Sequence, residues 1–514
     1  MNLGTLIEGL QVRVVRGDPT SVRVCDLTED SRTAVPGSLF VARRGLRADG
    51  RVFIEGAIEC GACCVLTDDE SVELPPRTDV CLLVTEDVQG VSARLAERFY
   101  AEPSSKLVLV GVTGTNGKTT VAHLTHQLLN QAGVRTGLIG TVEVDDGREV
   151  APASMTTPPA IELSRTLAQI VEHRGKAAVM EVSSHALDQG RVSALAFDIA
   201  VFTNLSGDHL DYHHTMDAYA GAKQRLFAML PEEGAGIVNA DDPASAKMVG
   251  GRRVTCSGAG SGDWGVEVGA GSLEGTHLSI RGPGVRLEAT VPLFGAHNAM
   301  NTLEAVAAAS ETLRRLGRSD ESIEADLRDA MARLRPPAGR MERVSTNADA
   351  PIVFVDFAHT DDALDKALSS VRPLVPAGRD LWVVVGCGGD KDQSKRPRMG
   401  RVACTHATRC VFTSDNPRTE PPGEIIRAML QGVPVSARSG VMVHPDRARA
   451  IREAINGAAP GDVIVIAGRG HETEQEVAAP EGGVRRIPLD DRVVAREALR
   501  ERRLRAQALA GETA

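Results

Sequence analysis

Residues 107–120 read LVLVGVTGTNGKTT, an apolar run followed at once by closely spaced glycines and then by Lys-Thr-Thr. The apolar run predicts a buried strand, and the residues from Lys118 onward predict a helix. The strict phosphate-loop pattern G-x-x-x-x-G-K-[ST] requires glycine at position 112, where this chain has Val112. A strand, a loop and a helix in this order still suit a phosphate, because free N–H groups and the dipole of a helix N-terminus favour an anion.

Each residue type in this loop has a role in phosphate binding. Gly114 and Gly117 would let the backbone approach a nucleotide, and Lys118 would supply positive charge. Thr119 or Thr120 would offer a hydroxyl to Mg²⁺. The alternative is a glycine-rich turn that merely precedes a helix, and the sequence GKTT at the helix start favours the nucleotide site.

Apolar strands alternate with amphipathic helical stretches both around this loop and near the C-terminus. AAVMEV and IAVFTN follow LVLVGV, and the last third of the chain contains IVFVDF, LWVVVG, RCVFTS and DVIVIAG. Alternation of this kind predicts parallel sheets covered by helices on both faces, an α/β fold. Residues 257–293 are glycine-rich with period-two alternation and predict a small antiparallel insertion.

The 514 residues are too many for one hydrophobic core, so several domains are expected. The small polar stretch AEPSSKL predicts a boundary near residue 103, and the adjacent prolines of RLRPPAGRME predict another near residue 337. The expected domains are residues 1–103, 104–337 and 338–514.

Composition argues against several classes of function. The net charge is -10 and aromatic residues make up 3% of the chain, whereas nucleic-acid binding favours basic patches and stacking aromatics. We expect no signal peptide and no membrane-spanning segment, and therefore a cytoplasmic protein. The nine cysteines include the cluster CGACC, but no second pair completes a zinc site, so reduced thiols are expected.

Two polar residues follow strands that would neighbour the phosphate loop. Glu181 ends the strand in MEVSSHAL, and His209 lies beyond the next strand, in NLSGDHLDYHH. Because the carboxyl ends of parallel strands share one edge of a sheet, both side chains are expected near the loop, where they would hold Mg²⁺. Either residue alone is equally consistent with a structural role.

Five motifs occur in order along the chain: GVTGTNGKTT, MEVSSHAL, FTNLSGDHLDYHHTMDAY, AKQRLF and NADD. Together they resemble the Mur ligases, the ATP-dependent amide-forming enzymes of peptidoglycan precursor synthesis. The resemblance extends from DSR near residue 30 to GRGHE near residue 470. It is strongest with the members that add the third peptide residue to UDP-MurNAc-L-Ala-D-Glu. The family writes its loop with glycines at these spacings, which accounts for Val112.

The resemblance implies a reaction, cofactors and site residues. ATP would phosphorylate a substrate carboxylate, and an amine would then displace phosphate, with Mg²⁺ as cofactor. The implied catalytic residues are Lys118, Glu181, His209 and Lys223. The implied metal ligands are Thr119, Glu181, His209 and Lys223, the last as a carbamylated lysine. The implied ATP contacts are Gly114, Thr115, Asn116, Gly117, Lys118, Thr119, Thr120, Asn301, Arg340, Asp356 and His359. Without the resemblance, Lys223 is interpreted as a solvated helix lysine.

The resemblance also assigns the other substrates. The implied contacts to UDP-MurNAc-L-Ala-D-Glu are Ser31, Thr156, Thr157, Ser183, Gln189 and Arg191. The implied contacts to the amino acid are Lys391, Asp415, Asn416, Arg418, Gly468 and Glu472. The resemblance implies an N-terminal α/β uridine-binding domain, a central phosphate-loop ATPase domain and a C-terminal Rossmann-like domain. A monomer is expected.

The DNPR motif at residues 415–418 bears on the choice of amino acid. In the family this motif marks enzymes that take meso-diaminopimelate, and its Arg grips the distal carboxylate. From the residues alone, Arg418 is equally consistent with pairing inside its own turn, with Asp415 or Glu420. A buried Arg without a carboxylate partner would also be a physical reason to reject lysine.

The chain departs from the family pattern at a few positions. The usual GGDRD is GGDKD, which places Lys391 where an Arg normally contacts the other carboxylate. Arg469 and Glu474 replace a Lys and a Tyr. Alternatives that stay open are a lysine-adding or specialised relative, a catalytically degenerate phosphate-loop binding protein and, more distantly, a folylpolyglutamate synthetase.

Overall fold

A computed structural model describes residues 1–45, 49–75, 79–345 and 350–512. The chain divides into two compact units. The first consists of Met1–Trp264, Gly282–Val285 and Glu304–Leu327. The second consists of Gly265–Arg281, Arg286–Leu303 and Arg328–Ala514. The predicted α/β fold is confirmed, because mostly parallel sheets recur in both units. The predicted boundaries near residues 103 and 337 stay predictions.

The N-terminal part of the first unit is a mostly parallel sheet buried on both faces. Its elements are α1 (Leu3–Ile7), β1 (Arg13–Arg16), β2 (Asp26–Thr28), β3 (Ser38–Ala42), α2 (Ile54–Glu59), β4 (Cys64–Thr67), β5 (Cys81–Val84) and α3 (Val88–Phe99). The strand order is β1-β5-β4-β3-β2, with only β1 antiparallel to its neighbour among the described strands. Leu39 and Val41 pack on one face, whereas Phe40 and Ala42 pack on the other. The period-two alternation thus buries both faces.

The central sheet carries the glycine-rich loop. Its elements are β6 (Val108–Thr113), α4 (Lys118–Gln131), β7 (Thr136–Ile139), β8 (Glu143–Asp145), β9 (Val150–Pro152), α5 (Ala160–Glu172), β10 (Ala177–Glu181), α6 (Ser184–Asp188), β11 (Ile199–Phe202), α7 (Leu210–His213), α8 (Met216–Ala228), β12 (Ala235–Asn239) and β13 (Arg252–Ser257). The order is β13-β12-β11-β6-β10-β7-β8-β9, and the strands from β13 to β7 are parallel. Glu181 is in register with Val112, and Phe202 with Thr113. The carboxyl ends of β10 and β11 therefore lie beside the loop.

The predicted antiparallel insertion is confirmed, and the next elements extend to the proline pair. They are β14 (Trp264–Ser272), β15 (Gly275–Gly282), β16 (Val285–Val291), α9 (Ala296–Arg315) and α10 (Asp320–Met331). β14 pairs antiparallel with β15. Helix α10 ends at Met331, so the prolines at 336 and 337 lie beyond it in irregular chain.

The C-terminal part of the second unit is a parallel sheet covered on both faces. Its elements are β17 (Glu342–Arg343), β18 (Ile352–Asp356), α11 (Asp361–Val371), β19 (Leu381–Val385), α12 (Lys395–His406), β20 (Arg409–Phe412), α13 (Pro422–Leu430), β21 (Val441–Val443), α14 (Arg447–Gly457), β22 (Val463–Ala467), β23 (Glu474–Ala478), β24 (Val484–Pro488) and α15 (Asp491–Glu512). The order is β17-β18-β22-β19-β20-β21, with β17 antiparallel to β18 and the other pairs parallel. The predicted strands are confirmed, because IVFVDF, LWVVVG, RCVFTS and DVIVIAG correspond to β18, β19, β20 and β22.

Three further properties of the described residues concern membrane spans, disulfides and metal clusters. No helix in the described ranges is both long and apolar enough to cross a membrane. The nine cysteines are unpaired as disulfides. No group of three or more His, Cys, Asp or Glu side chains in the described part of the chain has the arrangement of a metal site.

Candidate active site

The glycine-rich loop has a backbone that a side chain at position 114 would disrupt. Gly114 has φ +151°, and a Cβ there would lie 1.9 Å from Thr203 Oγ1. Gly117 has φ +88° and caps α4. Val112 is buried within β6, so the turn begins after Thr113. The strict pattern requires glycine at position 112, but that position still belongs to the strand. Gly114 and Gly117 stand after the strand, where the chain turns.

Hydrogen bonds hold the loop in shape from two sides. Lys118 Nζ donates to the carbonyl oxygens of Gly114 (3.0 Å) and Thr115 (2.9 Å). Asn116 N donates to Asn204 Oδ1 (3.0 Å), and Asn204 Nδ2 donates back to Asn116 O (3.0 Å). The ammonium of Lys118 thus lies at the loop and the N-terminus of α4, where a phosphate would bind.

Glu181 is fully buried at the end of β10 and accepts hydrogen bonds on both oxygens. Thr119 Oγ1 donates to Oε2 (2.9 Å), and Thr141 donates to Oε1 from its backbone N–H (2.7 Å) and to Oε2 from its hydroxyl (3.0 Å). Carboxylate and hydroxyl oxygens are the ligands that Mg²⁺ prefers, so this set fits that ion. Sequence reasoning missed Thr141, although its place just beyond β7 follows the same strand-end rule as Glu181.

Lys223 lies in α8 and is buried, with 1% of its surface exposed. Its Nζ donates to Gly114 O (2.8 Å) and lies 4.3 Å from the centre of the Tyr219 ring. Burial, and then the positive charge of Lys118, lower the pKa of Lys223 well below its ordinary value. The interpretation from the residues alone, a solvated helix lysine, is wrong. The face of α8 that carries Lys223 packs against the loop.

His209 stands beside the same group of residues and is half-exposed. It has φ +54°, its Nε2 lies 3.5 Å from Asp208 Oδ2, and its ring centre lies 4.9 Å from that of His185. Burial lowers the pKa of His209, and the charges of Lys118 and Lys223 act in the same direction. No hydrogen bond joins His209 to Glu181 within the described ranges.

Five of the six residues expected to hold the dipeptide substrate form one network with Glu181. Thr157 Oγ1 donates to Glu181 O (2.9 Å) and accepts from Ser183 N (3.0 Å). Arg191 Nη1 donates to Thr157 O (2.7 Å), and its Nε and Nη2 donate to Gln189 Oε1 (3.1 and 2.7 Å). Adjacent to them, the hydroxyl oxygens of Thr156 and Thr141 lie within hydrogen-bond distance, 3.0 Å apart.

The N-terminal part of this unit contains the predicted substrate contact Ser31 and charged side chains that act on Arg191. Ser31 is half-buried in a short 3₁₀ helix, Ser31–Thr33, capped by Asp30. Arg43 donates to Gln89 Oε1 (3.0 Å), and burial together with the Arg43 charge lowers the pKa of Arg191. The opposite charge of Glu29, which pairs with Arg43 at 2.7 Å, also acts on Arg191, and sequence reasoning identified neither residue.

The second unit contains the remaining predicted ATP contacts. Asp356 ends β18, and its carboxylate accepts from the backbone N–H groups of Met341 (2.7 Å) and Ala358 (2.8 Å). Burial raises the pKa of Asp356 and lowers that of His359. Arg340 lies over the ring of Phe357, 4.7 Å from its centre. On α9, Asn301 Nδ2 donates to Asn298 Oδ1 (3.0 Å).

Asn416 is the centre of the predicted amino-acid site. Its Nδ2 donates to Glu472 Oε2 (2.8 Å), and its Oδ1 accepts from Arg469 Nη1 (2.7 Å) and from Glu476 N (2.9 Å). Arg469 is fully buried, so it fixes the orientation of the Asn416 amide. Burial raises the pKa of Glu472.

Gly468 and Asp415 adjoin Asn416. Gly468 has φ +118°, and a Cβ there would lie 2.5 Å from Asp415 Oδ2. Asp415 is buried, and its Oδ1 accepts from Asn416 N (2.7 Å). This close approach admits only glycine at position 468.

Arg418 has a carboxylate partner that the sequence did not indicate. Its Nε donates to Glu476 Oε2 (2.8 Å), and its Nη1 donates to Gly389 O (2.8 Å). The alternative of pairing with Asp415 or Glu420 is wrong, and Glu420 instead binds Arg396. Because Arg418 pairs with Glu476, it is not an unpartnered buried Arg, and lysine is not rejected for that reason. Lys391 is exposed and makes no hydrogen bond or ion pair with the described residues.

Models of protein families match this chain in three segments. They are the Mur ligase family catalytic domain at residues 26–100, the Mur ligase middle domain at 112–309 and the Mur ligase glutamate ligase domain at 339–470. A UDP-N-acetylmuramoyl-L-alanyl-D-glutamate--2,6-diaminopimelate ligase of Synechococcus elongatus is 40% identical over 98% of this chain and 99% of its own. The chain belongs to the Mur ligase family.

A second relative and a solved structure also match this Mur ligase along most of its length. A Chlorobaculum tepidum protein of the same name is 42% identical over 90% of both chains. A solved structure of a ligase with that name superposes with a TM-score of 0.67 at 30% identity, over 98% of this chain and 99% of its own.

The first unit of this Mur ligase brings together most of the predicted site. The predicted residues joined there by hydrogen bonds are Gly114, Thr115, Asn116, Lys118, Thr119, Glu181, Lys223, Thr156, Thr157, Ser183, Gln189 and Arg191. Thr120 is buried in the first turn of α4. This arrangement can bind phosphate, hold a hard cation and place a carboxylate substrate nearby. The second unit presents a separate set of acidic, amide and guanidinium groups, suited to a small zwitterion.

Proposed function

We propose that this Mur ligase is an ATP-dependent amide ligase that joins meso-diaminopimelate to the D-glutamate of UDP-MurNAc-L-Ala-D-Glu in peptidoglycan precursor synthesis. The observation that carries the proposal is the convergence of Lys118, Glu181 and Lys223 on one glycine-rich loop. The names of relatives about 40% identical along nearly the whole chain support the choice of substrates.

The chemistry follows from the weakness of a carboxylate as an electrophile. A carboxylate oxygen of D-glutamate attacks the γ-phosphorus of ATP, and the bond from that phosphorus to ADP breaks. The amine of diaminopimelate then attacks the acyl carbon, phosphate leaves with the carbon–oxygen electron pair, and the nitrogen loses a proton. Lys118 and the N-terminus of α4 offset the repulsion between the phosphate and the carboxylate.

Mg²⁺ fits the oxygen donors of Thr119 and Glu181, and carbamylated Lys223 with His209 would complete the metal site. The ion would neutralise charge on the transferring phosphate. The burial of Lys223 near Lys118 supports carbamylation, because the adduct replaces a buried basic amine beside the positive charge of Lys118 by an anion. Intact-mass measurement of an active preparation tests it: an unmodified Lys223 would contradict the carbamate.

The domain division follows the family segments. We propose an N-terminal uridine-binding domain at residues 1–103, an ATP-binding domain at 104–337 and an amino-acid-binding domain at 338–514. The matches at 26–100, 112–309 and 339–470 support these limits. The proposed protein is a cytoplasmic monomer that uses neither nucleic acid nor a membrane.

The choice of amino acid rests on Arg418. Three of its five N–H groups make no hydrogen bond within the described chain, and a second carboxylate would pair them, whereas lysine has none. The test is a panel of meso-diaminopimelate, LL-diaminopimelate, lysine and ornithine, each with ATP and the UDP-dipeptide. Preferential turnover of meso-diaminopimelate is expected, and preferential turnover of lysine would instead establish a lysine-adding relative.

A further inference from the structure

Strand β23 lies against the DNPR loop through the backbone of Glu476. Arg418 N donates to Glu476 O (3.0 Å), and Glu476 N donates to Asn416 Oδ1 (2.9 Å). One residue of the hairpin therefore contacts two of the three residues of the motif that are expected to touch the amino acid, Asn416 and Arg418.

The side chain of Glu476 also controls the guanidinium of Arg418. The Glu476 carboxylate accepts the Nε–H of Arg418, and Gly389 O accepts one N–H of Nη1. A guanidinium has five N–H groups, so the three left over all lie on the terminal nitrogens Nη1 and Nη2. Those are the groups that a ligand carboxylate would bridge.

An Arg side chain without such a contact loses its orientation easily. Arg418 is partly exposed, with 23% of its side chain accessible, and ordering a free Arg on binding reduces affinity through lost rotamer entropy. The Glu476 contact provides that order before the ligand binds.

We propose that Glu476 is a positioning residue that sets the specificity of the amino-acid site. It holds Arg418 so that the terminal nitrogens meet the distal carboxylate of a diamino dicarboxylic acid. This inference rests on the proposed function of Arg418. Glu476 does not touch the amino acid; it acts through the guanidinium.

The same strand offers a matched control. Glu474 and Glu476 both lie within 4 Å of Arg486, at 3.6 and 3.7 Å, but the Glu474 side chain does not contact Arg418. Glu474 is also more exposed, at 53% against 28%. Glu474→Ala therefore removes a similar surface charge without changing the guanidinium contact.

The experiment measures steady-state kinetics of Glu476→Ala, Glu476→Gln and Glu474→Ala with ATP, the UDP-dipeptide, and either meso-diaminopimelate or lysine. Glu476→Ala is expected to raise KM for meso-diaminopimelate about tenfold, as loss of a charge-assisted hydrogen bond predicts. KM for ATP should stay within twofold, and preference over lysine should fall. Glu476→Gln keeps an acceptor for Nε–H, so most of the affinity should return, and Glu474→Ala should resemble the unchanged protein.

The proposal is overturned if Glu476→Ala changes KM for meso-diaminopimelate by less than twofold, if KM for ATP rises in parallel, or if Glu476→Gln is as defective as the Ala variant. Arg418→Ala, measured beside them, distinguishes a failure of the positioning role of Glu476 from a failure of the proposed role of Arg418. If Arg418→Ala loses meso-diaminopimelate and Glu476→Ala does not, only the positioning role fails. If Arg418→Ala also retains it, the proposed role of Arg418 fails.

Discussion

Replacing Gly114 by Ala tests whether the glycine-rich loop is built as described. The new Cβ would lie 1.9 Å from Thr203 Oγ1 and 3.1 Å from Thr203 Cβ, at a φ of +151° that L-residues rarely adopt. Cβ contacts below 3.0 Å essentially never occur, so loop and strand must separate by about 1 Å.

That displacement acts directly on side chains that we propose to be catalytic. Gly114 O accepts hydrogen bonds from the Nζ atoms of both Lys118 and Lys223, so moving it shifts both of these side chains. A misplacement of about 1 Å in an active site lowers the rate roughly 100-fold. We therefore expect kcat to fall by about two orders of magnitude.

The assay is ADP formation in the presence of the UDP-dipeptide and meso-diaminopimelate, with thermal unfolding measured in parallel. Gly221→Ala is the control, because a Cβ at this position of α8 meets no atom within 4 Å. Removing a helix glycine should stabilise the protein by about 0.5–1 kcal/mol and leave kcat unchanged. Activity of Gly114→Ala within threefold of the unchanged protein would refute the loop geometry.

Three further changes test the site. Glu181→Gln keeps the volume but removes the charge that Mg²⁺ needs, so the Mg²⁺ concentration for half-maximal activity should rise at least about tenfold; an unchanged Mg²⁺ dependence would contradict the metal role. Lys223→Met should abolish ligation yet not lower Tm, because it removes an amine buried at 1% exposure; retained activity would exclude Lys223 from catalysis. Arg418→Ala should lose meso-diaminopimelate turnover far more than ATP binding, as measured by KM and nucleotide titration, and equal loss of both would contradict its assigned role.

The fold and the position of the phosphate loop could be predicted because they depend on local patterns. The apolar run before Gly114 and the helix signal at Lys118 correspond to β6 and α4. The alternation of strands and helices predicted that the carboxyl ends of the parallel strands share one edge of the sheet. Glu181, at the end of β10, therefore lies beside the loop that follows β6, as predicted.

Contacts between distant segments were harder to predict. Lys223 lies on a helix whose sequence alone does not indicate a buried ammonium, and only the family resemblance placed it at the loop. Glu476 lies 58 residues after Arg418, and nothing in the local sequence of either selects the other as a partner. Burial and pairing of this kind depend on tertiary packing, which periodicity does not encode.

The central claim is that ATP is consumed to make an amide bond. Phosphate release is measured with ATP and Mg²⁺ alone, with the UDP-dipeptide or meso-diaminopimelate added singly, and with both together. The proposed ligase should release phosphate rapidly only with both substrates, one per UDP-tripeptide formed. Release that does not depend on both substrates would contradict it and favour a phosphate-loop protein of another function.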